Sequence, residues 1–151
     1  MKFSPILIST LLTVASLQAE DAAKKLDTAP SSTTATEIKH ADAKQAKELL
    51  DANAKAAADN KEAKIIVVDV RTEDEYKEGH IAGSKNIDIN RAGFEEKLAA
   101  LDKTKPILVH CAAGGRSTKS LESFKKLGFK TVTHLDGGFK DWKKAGNPVE
   151  K

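Results

Sequence analysis

Apolar residues follow two rhythms along this chain, short unbroken runs and helical spacings, and the two take turns. Ile65-Ile66-Val67-Val68-Asp69-Val70 is a continuous β-branched run, the pattern of a strand buried on both faces. Ile107 to His110 and Thr131 to Leu135 repeat it, and Asn86 to Ile89 reads as a shorter strand. Between these runs the period changes. Ala46, Leu49, Leu50, Asn53, Ala54 and Ala57 recur at i, i+3, i+4 and i+7, so a helix is expected from near Ala41. Thr72 to Glu75 is a Thr-x-x-Glu capping box for a brief helix ending near Gly79. Phe94, Leu98 and Leu101 mark a further helix that must end before Pro106. Leu121, Phe124 and Leu127 mark another, stopped by Gly128, and Phe139 with Trp142 begins a last one after the Gly137-Gly138 turn.

Strands that alternate with helices pair in parallel. The expected architecture is therefore α/β, a mostly parallel central sheet with helices on both faces. At 151 residues the chain has room for one domain with a real core.

The N-terminal residues follow neither rhythm. Lys2 is followed by an uncharged run from Phe3 to Gln18, with an apolar centre and a small residue, Ala19, at a plausible cleavage point. This is the layout of a secretory signal peptide, expected over residues 1–19. The run is short for a membrane span, and no cysteine follows it to carry a lipid. Export to the periplasm or beyond is expected, with no stable span after cleavage. Residues 20–36 are polar and rich in Ala, Ser and Thr, which reads as a flexible tether. The folded domain is expected over residues 37–151.

Charge changes the picture little. The formal net charge is +3, and loss of Lys2 with the signal segment would leave +2. Lysines alternate with acids and no basic block interleaves with aromatics, so nucleic acid is not an expected partner. The cysteine count matters more. Cys111 is the single cysteine, unable to form an internal disulfide, in a chain expected to reach an oxidising compartment.

Its surroundings suggest chemistry. In Val109-His110-Cys111-Ala112-Ala113-Gly114-Gly115-Arg116-Ser117 a buried strand delivers Cys111 to its C-terminal end, where open α/β sheets place ligands. Gly114 and Gly115 permit torsions that turn consecutive N–H groups toward the sulfur. A helix starting near Ser117 adds positive potential, and Arg116 adds a cation. Each effect favours thiolate, the nucleophilic form. The loop reads as an activated cysteine in an anion-binding cradle.

This loop resembles the active-site loop of rhodanese-domain proteins. Val68-Asp69-Val70-Arg71-Thr72, Glu75-Tyr76 and Gly79-His80-Ile81-Ala82-Gly83-Ser84 resemble the family's first signature. Leu135-Asp136-Gly137-Gly138-Phe139, Trp142, Ala145-Gly146 and Pro148-Val149 resemble its C-terminal one. The resemblance implies a rhodanese-like three-layer sandwich and sulfur transfer through a Cys111 persulfide. The expected partners are a small-molecule donor, thiosulfate or a persulfide, and a thiophilic acceptor such as cyanide, a thiol or a protein thiol. Loop residues Ala112, Ala113, Gly114, Gly115, Arg116 and Ser117 would bind the persulfide, with Arg116 orienting the donor. Asp69 and Arg71 would support the site. No cofactor or metal is implied.

Other readings stand beside this one. Cysteine phosphatases and arsenate reductases also pair a thiolate with an arginine, but across five residues, and here the gap is Ala112 to Gly115, only four. A non-catalytic binding or persulfide-sensing module on the same fold is the alternative from another class. His110 should face away from Cys111 by strand alternation. His80 reads as structural. His40 and His134 show no ligand spacing with each other or with Cys111. For Arg71, an ion pair with Glu75 competes with a role in the site. Ala112 stands where many thiosulfate-using relatives carry a cation, which implies a less charged donor.

Overall fold

The computed structural model describes residues 35–59 and 65–151. The expected signal peptide and residues 20–34 of the expected tether lie outside them. Five strands form the main sheet: β1 (Glu37–Ala41), β2 (Ile66–Asp69), β4 (Lys85–Asn86), β5 (Ile107–His110) and β6 (Thr131–Leu135). Their order is β1-β6-β5-β2-β4 and every pairing is parallel. The two-residue strands β3 (His80–Ile81) and β7 (Val149–Glu150) pair antiparallel at one side.

The central strands are where the β-branched runs lie, because both their faces are covered. On one face Val68, Val109 and Val132 pack with Phe94 and Leu98 of α3 (Phe94–Ala99) and with Leu121 and Phe124 of α4 (Gly115–Lys126). On the other, Val67, Leu108 and Leu135 meet Ala46 of α1 (Ala43–Ala58) and Phe139 and Trp142 of α5 (Gly138–Lys144). This is the expected three-layer α/β sandwich, and each fully buried Val or Leu stabilises it by roughly 1.5–3 kcal/mol. The brief helix α2 (Glu73–Glu78) opens with the expected capping box, its Thr72 hydroxyl accepting from the Glu75 N–H.

Three expectations shift. The helix expected from Ala41 starts at Ala43, because Asp42 caps it in a box with Gln45 and residues 37–41 are strand. The strand expected over Asn86 to Ile89 is shorter and earlier, although Ile87 and Ile89 still donate N–H bonds to Asp69 and Val70. The helix after the cysteine loop starts at Gly115 rather than near Ser117. Among the described residues no helix is long and apolar enough to cross a membrane.

Candidate active site

Cys111 follows the last residue of β5 at the C-terminal edge of the sheet, and it is buried. Its sulfur accepts from the Gly114 N–H at 3.2 Å and from the Ser117 hydroxyl at 3.4 Å. The N–H groups of Ala113, Arg116 and Ser117 add to this cradle. They point inward because the loop's carbonyls are claimed elsewhere. The first turn of α5 supplies the donors: Phe139 N–H bonds the Cys111 oxygen at 2.7 Å, and Lys140 N–H bonds that of Ala112 at 3.0 Å.

Two glycines allow so close an approach. Gly114 has φ +94° and a Cβ there would collide with the Asp136 carbonyl oxygen. Gly138 has φ +60° and a Cβ would lie 2.6 Å from the Cys111 oxygen. Gly115, expected to share this duty, does not: it begins α4 without a positive φ and has open space at its Cβ position.

Burial pushes the Cys111 thiol up, and the hydrogen bonds from the Ser117 hydroxyl and from the N–H groups of Ser117, Ala113 and Arg116 more than offset it. The net shift is below the ordinary thiol value, so these donors favour thiolate. The N-terminus of α4 faces the same atom.

The arginines take different partners from those expected. Arg116 makes a two-pronged bond to Glu75, with nitrogen–oxygen distances of 2.6 and 2.8 Å. Its hydrogen bond pulls the Glu75 carboxyl down to about 2. The guanidinium expected to orient a donor is thus committed to clasping α2 to α4. Arg71 pairs not with Glu75 but with Asp69, at 2.6 Å, and both side chains are buried. It also donates to the Gly79 carbonyl at 2.8 Å and lies 4.1 Å from the centre of the Phe139 ring. Arg71, held by the buried Asp69, therefore stands in the wall beside the loop, and Asp69 itself lies behind it.

That wall borders a cavity of about 350 Å³, lined by Arg71, Glu75, Ala112 and Phe139 together with Lys140 and Lys143. Ala112 brings no cation to it, but α5 brings two lysines. Their signal was the Lys-x-x-Lys spacing after the Gly-Gly turn, which places both on one helical face.

The histidines divide. His110 is fully buried on the opposite face from Cys111, stacked near Phe139, and burial pushes it below its ordinary value. His80 stacks on Tyr76 and bonds its carbonyl, the structural role expected. His134 is different. Its Nε2 lies 2.8 Å from the Ser117 hydroxyl and its Nδ1 lies 2.7 Å from Asp136 Oδ1. His40 Nδ1 reaches the same carboxylate oxygen at 2.6 Å. The absence of ligand spacing in the sequence misses this cluster, because parallel pairing sets His40 directly opposite His134. The donor atoms lie within 4.8 Å of one another, and as placed they hydrogen-bond among themselves.

The known proteins that resemble this chain agree with one another. The Rhodanese-like domain family matches residues 42–145. The thiosulfate sulfurtransferase GlpE of Coxiella burnetii is 39% identical over 83 residues, covering 55% of this chain and 76% of that one. Thiosulfate sulfurtransferase 18 of Arabidopsis thaliana is 30% identical over 131 residues, covering 79% of this chain and 88% of its own. Among solved structures, a rhodanese-related protein from Thermoplasma volcanium superposes with a TM-score of 0.59 at 33% identity, over 74% of this chain and 97% of that one.

Proposed function

The chain belongs to the rhodanese-like domain family and is a rhodanese-type sulfurtransferase, and from that premise we propose that it carries sulfur as a persulfide on Cys111. The Cys111 thiolate attacks the outer sulfur of thiosulfate. A new S–S bond forms, the donor's S–S bond breaks, and sulfite leaves with the electron pair. Cyanide then takes the terminal sulfur as thiocyanate and returns the thiolate. A low-molecular-weight persulfide or a thiol, including a protein thiol, enters the same two steps as donor or acceptor.

The observation that carries this reading is the ring of N–H and O–H donors around a buried sulfur. Such a cradle stabilises negative charge on sulfur, which both the thiolate and the persulfide anion formed from it carry. Ala112, Ala113, Gly114, Gly115, Arg116 and Ser117 bind through their backbone, and Ser117 also through its hydroxyl. With Arg116 held by Glu75, Lys140 and Lys143 are the cations that meet an anionic donor in the cavity. Asp69 and Arg71 support the wall.

The domain is exported: the charged start and apolar run of residues 1–19 support a cleaved signal peptide. The test of the function is thiocyanate formation from thiosulfate and cyanide by the purified protein. Turnover that disappears in Cys111→Ser is expected, and equal turnover in that variant would overturn the proposal.

A further inference from the structure

A line of hydrogen bonds leaves the buried sulfur through residues outside the cavity lining. Ser117 Oγ stands 3.4 Å from Cys111 Sγ, His134 Nε2 stands 2.8 Å from that Oγ, and Asp136 Oδ1 stands 2.7 Å from His134 Nδ1. Ser117 is fully buried and His134 is 3% exposed. The Asp136 side chain at the end of the line is 54% exposed. None of the three lines the cavity beside the loop. A donor can occupy that cavity while this path to water stays open.

We infer that Asp136, His134 and Ser117 form a proton relay for Cys111, with His134 a positioning residue that acts through Ser117. This rests on Cys111 being the sulfur carrier. When a thiol accepts sulfur, its own proton stays behind: acceptor thiol and Cys111 persulfide anion become acceptor persulfide anion and Cys111 thiol. The next cycle needs that thiol ionised. The sulfur passes its proton to Ser117 Oγ, Ser117 passes its own to His134 Nε2, and the products are thiolate and imidazolium.

The one proton on Ser117 makes the relay a switch. Its acceptors are the sulfur, the Gly114 carbonyl at 2.9 Å and His134 Nε2. A neutral His134, its Nδ1–H held by Asp136, draws the Ser117 proton to Nε2. A protonated His134 donates to Ser117 instead and frees that proton to face the sulfur. Asp136 therefore fixes the direction in which the line is polarised. Asp136 after β6 and His40 of β1 are the titratable groups against His134 among the described residues, and Cys111 lies beyond the Ser117 hydroxyl. β5 sets Val109 beside it, and α4 sets Ser117 and Thr118 against it, all uncharged.

The test is the ultraviolet absorbance of the thiolate followed across pH, which reports one sulfur because the chain has one cysteine, with Cys111→Ser as the blank. No sulfur donor is present, so failure of the persulfide cycle leaves this readout intact. His134→Gln, which removes the imidazolium that turns the Ser117 proton onto the thiolate, is expected to move the midpoint up by about one pH unit. Asp136→Asn, altered at an exposed position, should move it the same way and keeps the test alive if His134→Gln does not fold. In a Ser117→Ala background, His134→Gln should add nothing further. An unmoved midpoint in folded variants, or a full His134→Gln effect without Ser117, overturns the relay.

Discussion

Arg71 shows how tightly the site is tied to stability. Its guanidinium is buried against Asp69 and the Gly79 carbonyl, so removing it strands a carboxylate in the core. Arg71→Leu is expected to cost about 3–5 kcal/mol in urea denaturation, the cost of breaking a buried pair by removing one partner. A loss under about 1 kcal/mol would mean that the pair is not held as described. At this scale the sequence was readable where chemistry is local. Cys111, its loop and Ser117 lie within seven consecutive residues, and their order alone suggests an activated thiol. The partners were unreadable because they are made across elements. Glu75 reaches Arg116 from α2, and His134 reaches Ser117 from β6. No spacing in the chain encodes either contact.

Among the elements, the turn between β6 and α5 does most to form the cradle. Gly138 brings α5 onto the loop carbonyls, and Gly114 lets the loop pass Asp136. Gly138→Ala and Gly114→Ala are expected to lower the melting temperature and the sulfur-transfer rate together. Gly115→Ala, in open space at a helical position, should hold or raise stability by about 0.4–1 kcal/mol. Thermal melts and rates for the three variants check this, and equal losses in all three would contradict it. The buried strands β2, β5 and β6 were legible because burial on both faces demands β-branched runs. β1 was not: its residues are mostly exposed, only Ala41 is buried, and its sequence EIKHA carries no strand pattern. The short β3 and β7 exist through pairing with each other and leave no periodic trace.

For the whole molecule, parallel pairing sets Cys111 at the C-terminal edge of the sheet, where β5, β6 and their loops meet α2 and α5. The cavity is lined from α2, α5 and Ala112, and the Asp136 carboxylate, outside that lining, meets water. The proposed export concerns the entire chain. N-terminal sequencing of protein recovered from an exported fraction should begin at Glu20, and recovery of intact Met1 from cytoplasm alone would contradict the signal peptide. The central claim concerns one atom. Intact mass of the purified protein before and after thiosulfate, beside Cys111→Ser, tests it most directly. A gain of one sulfur atom that cyanide reverses, absent from the variant, is the predicted result. No gain from thiosulfate or from a low-molecular-weight persulfide, in folded protein with a reduced thiol, would contradict it.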